Sequence, residues 1–183
     1  MRGFSHGNQI QAGYLAAFLK MTGNIGESIA NFLLGQKTRQ GELFRTRVIG
    51  ENWPTIDIYA ELITNLSQTM FAFFQIKTTE LGYTKRNPRR LRVAVELSQL
   101  KRLANYNAPS YIIGVDYQSN NIIQSRAYIG TVRGSYNNPL SSFSTINELN
   151  EKNLISLWEE IQNFWISNNS LNLKSSYYTN FEL

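Results

Sequence analysis

Three residues between Trp53 and Thr79, in the stretch WPTIDIYAELITNLSQTMFAFFQIKTT, have the types and spacing that could do chemistry. Asp57 offers a carboxylate, Gln75 an amide oxygen and Lys77 an ammonium. Two apolar, β-rich runs flank the polar residues Thr64-Asn65-Leu66-Ser67-Gln68, which is the pattern of a hairpin with a five-residue loop. Side chains two apart on a strand share a face, so Gln75 and Lys77 point one way and Phe74 and Ile76 the other. If the hairpin folds back in register, Asp57 lies beside the first pair and all three groups converge. Glu61, four residues after Asp57, shares its face and is an alternative acid.

The surrounding elements must hold these groups. Asn24 to Leu34 reads as a helix with Gly35 as its C′ stop; Ile25, Ile29, Phe32 and Leu33 form an apolar stripe, and Glu27 falls on the opposite side with Ala30 and Leu34 near it, so the helix carries apolar residues on more than one side. Leu43 to Ile49 alternates like a strand, and Gly50 to Pro54 is a turn. Glu80 to Arg92 reads as a flexible basic loop, because Lys85, Arg86, Arg89, Arg90 and Arg92 fall within eight positions and Pro88 forbids an uninterrupted helix. Ser98 can cap a short helix running to Tyr106, with Leu100 and Leu103 inward. Tyr111 to Val115 fits a buried strand, Ser125 to Val132 another, and Tyr136 to Ser144 a loop. Thr145 to Glu148 matches a capping box before a helix whose Leu154, Leu157, Trp158, Ile161 and Trp165 make a packing stripe. Ile10, Tyr14 and Phe18 suggest a helical extension over 1–20, with Met21 as an alternative start. The Asn- and Ser-rich tail from Ser167 keeps Tyr177, Tyr178 and Phe181 as its apolar residues.

The 183 residues, 42% of them apolar, suffice for one domain with a core over 1–183. A net charge of +5 favours an anionic partner, nucleic acid first. The absence of cysteine excludes disulfides and thiolate metal sites, which fits a cytoplasmic protein. A single histidine, His6, rules out a histidine-rich metal site. No stretch approaches the roughly 20 apolar residues of a membrane helix. Neither a phosphate-cradling GxxxxGK[ST] nor a GxSxG motif is present.

The element order, together with Glu27, Asp57 and Gln75-Ile76-Lys77, resembles the PD-(D/E)XK nuclease superfamily over about Asn24 to Asp116. The chain resembles small bacterial members, several of which sit in defence loci. Gln75 departs from the pattern, since most members carry Glu or Asp there and some branches carry Gln. The resemblance implies an α/β, restriction-endonuclease-like fold: a central mixed β-sheet flanked by helices, an αβββαβ core over about 24–116, an extra strand, and a C-terminal helix over 145–166. It implies a catalytic set of Lys77, Asp57, Gln75 and Glu27, with Asp57, Glu27, Gln75 and the Ile76 carbonyl holding Mg²⁺ or Mn²⁺. The expected activity is hydrolysis of phosphodiester bonds in nucleic acid, DNA first; the sequence does not choose between DNA and RNA. The basic loop, Lys85, Arg86, Arg89, Arg90 and Arg92, would contact phosphates. Double-strand cleavage would need two sites, hence a homodimer. The alternatives are a non-catalytic nucleic-acid-binding domain with a degenerate site, and an interaction subunit of a bacterial defence system.

Overall fold

The alternating runs of the sequence become the strands of one twisted layer. The computed structural model of the chain describes residues 21–50, 53–85, 88–118, 124–132 and 137–167. The expected 1–20 extension with His6, Ile10, Tyr14 and Phe18, the residues Tyr177, Tyr178 and Phe181, and Arg86 lie outside these residues. The described chain begins in helix α1 (21–34). A small hairpin follows, β1 (Lys37–Thr38) and β2 (Gly41–Glu42), and then strands β3 (Phe44–Val48), β4 (Ile58–Leu62) and β5 (Phe71–Thr79). Next come β6 (Arg90–Leu91), α2 (Leu97–Ala104), β7 (Ser110–Asp116), β8 (Arg126–Thr131), β9 (Phe143–Ser144) and α3 (Glu151–Ser167). The main sheet has five strands in the order β3-β4-β5-β7-β8. Only the β5–β7 pairing is parallel, so the sheet is mixed and the fold is α/β with, among the described residues, three helices. No helix of the described residues is long and apolar enough to cross a membrane.

Strand alternation sorts the side chains into two cores. Ile58, Ala60, Phe74, Ile76, Tyr111, Ile113 and Ile129 face α1 and α3, where Ala30, Leu34, Leu154, Leu157 and Ile161 complete a buried cluster. Phe73, Ile112 and Tyr128 face the other way, against Leu100 and Leu103 of α2 and Leu91 and Phe143 of the β6–β9 pair. Burial of this kind contributes about 1.5–3 kcal/mol per large apolar side chain. The stripe that α1 buries is not centred where periodicity placed it. Thr22, Gly26, Ala30 and Leu34 are its buried residues, Ile29 and Leu33 only flank them, and Phe32 is 68% exposed. Small residues won because the helix lies very close to β5: a Cβ on Gly26 would sit 1.7 Å from Thr78 Oγ1.

Several boundaries differ from expectation for local reasons. The hairpin forms, but its loop runs over 63–70 and is longer than five residues. Gly35 ends α1 without a left-handed φ; the positive-φ glycines among the described residues are Gly41, Gly50 and Gly82. Ser98 lies inside α2, whose N-cap is Glu96. The last helix is capped by Asn150, which accepts from Asn153 N–H at 3.1 Å, while the Thr145 hydroxyl donates to the Arg89 carbonyl at 2.9 Å. The supposed loop before it contains β9, and Leu140 pairs with Val95. Trp158 and Trp165 pack against the core as the stripe suggests, and Trp165 Nε1 donates to the Phe71 carbonyl at 2.8 Å.

Candidate active site

The β4–β5 register pairs Ile58 with Phe74, which sets Asp57 beside Gln75. Asp57 is held through its main chain on both sides: its N–H donates to the Phe74 carbonyl at 2.9 Å, and its carbonyl accepts from Ile49 N–H at 2.9 Å. Its side chain makes the next bond of the ladder, with Oδ2 accepting from Ile76 N–H at 2.6 Å. Beyond this point β4 has no partner for β5, which runs on to Thr79 beside β7 alone. N–H and C=O of one strand residue point to the same side, so the Ile76 carbonyl faces the edge that Asp57 occupies. The chain enters Asp57 from Thr55, a β-branched residue at φ 70°. Such an outlier costs on the order of 1–3 kcal/mol and persists where surrounding structure over-determines it.

Gln75 and Lys77 do share the α2 face. Gln75 is only 2% exposed, and its Oε1 has no hydrogen-bond partner among the described residues. An unpaired buried amide oxygen costs roughly 1–3 kcal/mol, so this atom is a natural place for a ligand donor or cation. Burial pushes the Asp57 carboxyl up from its ordinary value, against the opposing pull of the Ile76 bond and the Lys77 charge. Burial likewise pushes Lys77 down, against the pull of Asp57 and Glu96. Glu96 was not expected here. It is distant from Lys77 in sequence, and only the crossover from β5 through α2 to β7 brings them together.

Both half-buried charges are held at a cost, which predicts a stability effect. Exchanging two desolvated, interacting charges for neutral groups of similar shape is often neutral or stabilising. The double variant Asp57→Asn/Lys77→Met should therefore melt at or above the wild-type temperature, by about 2–4 °C for each kcal/mol recovered. A calorimetric Tm that falls by more than about 5 °C would make the pair a structural clamp.

The other expected site residues fare unequally. Glu27 stands half-buried on α1 next to Gly26, at the level of Thr78, but on the helix packed against the face opposite Lys77. Any reach to Asp57 passes around the edge where β5 outruns β4. Glu61 shares the Asp57 face but lies roughly 13 Å further along β4, where it pairs with Arg45 at 3.8 Å. The basic segment is not a loose loop. Tyr83 bridges Leu91, Thr84 N–H donates to Arg90 O at 2.8 Å and Arg92 N–H to Gly82 O at 2.9 Å, so it doubles back as an arm that pairs with β9. Arg90 is half-buried and spends its guanidinium on Ser142, with Nε to Oγ at 2.9 Å. Lys85, Arg89 and Arg92 remain exposed. Hydrogen bonding within the arm is the signal that periodicity cannot show.

A second polar feature lies at the C-terminal end of β7. A cleft of about 790 Å³ is lined by Tyr83, Arg89, Asp116, Arg126, Tyr128 and Glu148 among others. The Tyr83 and Tyr128 hydroxyls are 2.8 Å apart, and burial and these bonds push the Tyr83 phenol up. Arg126 and Glu148 face each other at 3.7 Å.

Among the described residues no three His, Cys, Asp or Glu side chains gather as a metal group. Asp57 is flanked instead by Gln75, opposite it in the strand register, and by Ile76, whose N–H it accepts from. The chain matches no family model, no curated protein and no solved structure. The observations on the page therefore define an open mixed α/β sheet with a half-buried carboxylate–lysine pair at the edge where two of its strands part.

Proposed function

We propose that this chain is a divalent-metal-dependent nuclease of restriction-endonuclease-like fold, cleaving nucleic acid in the cytoplasm. The observation that carries the reading is the orphaned, buried Gln75 Oε1, on the sheet face that also carries Asp57 and Lys77. A carboxylate, an amide oxygen and a main-chain carbonyl are the hard oxygen donors that Mg²⁺ or Mn²⁺ takes. Asp57, Gln75 and the Ile76 carbonyl would hold the cation, and Glu27 would join them directly or through water. When bound, it supplies countercharge to a phosphodiester as attack builds further negative charge.

The remaining roles belong to the protein. The Ile76 N–H fixes one oxygen of Asp57 and leaves the other free to turn to a ligand. Lys77 offers a compact ammonium with three donors, suited to orienting the attacking water or neutralising charge on the phosphate. Burial lowers its pKa, which makes its proton easier to give up. Incubation of the protein with DNA and RNA substrates should give cleavage in Mg²⁺ or Mn²⁺ and none in EDTA. The absence of cleavage on every substrate would favour a non-catalytic nucleic-acid-binding domain. That second reading draws support from the Asp57 oxygen already committed to Ile76 and from the lack of a three-acid group among the described residues.

Gln75→Glu tests the ligand set directly. The two side chains are near-isosteric, so packing is preserved, while a neutral donor becomes anionic. A unit charge about 4 Å away is worth about 4 kcal/mol at an effective dielectric of 20. Repulsion from Asp57 in the metal-free site offsets part of this. Calorimetric titration should show Mn²⁺ affinity raised by roughly tenfold or more, a fraction of that Coulomb limit. Unchanged or weaker affinity with an unchanged circular dichroism spectrum would mean that Gln75 does not face the metal.

A further inference from the structure

The face that carries Asp57, Gln75 and Lys77 continues along β5 and β4 as an aromatic surface. Phe71 and Phe73 precede Gln75 on the same side of β5, and Tyr59 follows Asp57 on the same side of β4. Tyr59 lies 5.5 Å from Phe71, Trp53 meets Phe73 edge-on at 5.7 Å, and Tyr106 meets Phe73 at 5.3 Å, all between ring centroids. Trp53 is 49% exposed, and Tyr59, Phe71 and Tyr106 are only half-buried. Leu100 and Leu103 of α2 cover the neighbouring part of this face, toward Ile112 and Tyr128.

Basic side chains border the rings on both sides. Arg45 and Arg47 project from β3 on the same face, both exposed, and Arg47 is close enough to Tyr59 to act on its hydroxyl electrostatically. Arg45 is partly engaged by Glu61 at 3.8 Å. Lys101 and Arg102 are exposed in the last turn of α2, on the way to Tyr106. A core satellite would account for rings in mutual contact, but not for a half-exposed tryptophan between two basic margins that ends at a candidate phosphodiester site.

We propose that this aromatic surface binds single-stranded nucleic acid, stacking bases on Trp53 and Tyr59 and phosphates against Arg45 and Arg47, and leads the strand to Asp57 and Lys77. The proposal rests on the nuclease reading for its destination, but not for its binding chemistry. Every base has a π-face, and a ring is open to an unpaired base but closed to one stacked within a duplex. Arginines beside the rings satisfy the backbone charge and add stacking of their own.

The test is binding in EDTA, where cleavage cannot confuse it. Fluorescent oligothymidylate and oligouridylate of about 20 nucleotides, longer than one typical site, and a duplex of the same length are titrated with full-length protein. Either single strand should bind more tightly than duplex and quench tryptophan emission; which of the two does so decides between DNA and RNA. Trp53→Leu/Tyr59→Leu should weaken that binding on the order of 10-fold or more. Arg45→Gln/Arg47→Gln, at exposed positions where folding is undisturbed, should reduce the log–log salt slope by about 1.4. Duplex binding equal to or tighter than single-strand binding overturns the proposal, as does an unchanged affinity and salt slope in both variants. Metal-dependent cleavage of duplex without single-strand preference would refute this inference and leave the nuclease reading standing. Single-strand binding lost in the variants, with no cleavage in any metal, would do the reverse.

Discussion

Asp57→Asn and Lys77→Met are each expected to lower Mg²⁺-dependent cleavage by about 10²–10³-fold or more, with the fold intact. Asparagine keeps an oxygen for the 2.6 Å bond from Ile76 N–H, so the ladder end survives and only the charge is lost. Alanine at position 57 would remove that acceptor as well, leaving a main-chain donor unpaired and mixing folding with function. Methionine at position 77 keeps the length of the stem and removes the ammonium. Because the pair is desolvated, each charge acts in a medium where Coulomb terms are several-fold larger than in water. Single-turnover cleavage, with circular dichroism and a thermal melt on each variant, separates catalysis from unfolding. Wild-type rates in both variants would remove Asp57 and Lys77 from the site. Loss in Asp57→Asn alone would leave Lys77 as a partner that tunes the carboxylate.

Gly26→Ala should destabilise the protein by about 2–3 kcal/mol, although the same exchange in an ordinary helix interior stabilises by about 0.5–1 kcal/mol. The added Cβ would stand 1.7 Å from Thr78 Oγ1, 2.8 Å from its Cβ and 3.0 Å from its Cγ2. Rotation of Thr78 can move the oxygen, but not its Cβ, which is fixed by the pairing of Thr78 with Val115 on β7. Helix α1 must then lift, against the burial of Ala30 and Leu34 in the core. Overpacking of this kind outweighs the propensity gain. The expected fall in Tm is about 4–12 °C, at about 2–4 °C per kcal/mol for a chain of this size. In a Thr78→Gly background the clash has no partner atom, so urea denaturation of the four combinations should give a favourable coupling between the two exchanges. A Tm raised by Gly26→Ala would show that the helix stands further from β5. Glu27, one residue on, would then lose its position at the level of Thr78.

Period-two alternation from Phe71 to Thr79 is a property of the local chain, and it alone assigned Gln75 and Lys77 to one face and Phe74 and Ile76 to the other. The burial of Leu100, Leu103, Leu154, Leu157 and Ile161 followed in the same way from helical spacing. The order of the long elements was legible for the same reason: runs of apolar residues and the turns between them are short-range signals. The cap of the last helix was not, because Thr145 and Asn150 both offer oxygens at helix-start spacing. Only the packing of Thr145 on the Arg89 carbonyl releases it from that role. Which apolar side of α1 is buried was not legible, because hydrophobicity does not reveal contact distance; a sheet approached this closely selects Gly26 and Ala30 over Phe32. Nor could spacing show that the basic segment doubles back on itself, or that Arg90 is committed to Ser142, since those bonds span residues far apart in the chain. Asp57, Lys77 and Glu96 are ordinary charged residues until strand pairing and the α2 crossover desolvate them together. Their altered protonation, and the orphaned oxygen of Gln75, are consequences of burial, a quantity that exists only once distant segments have packed.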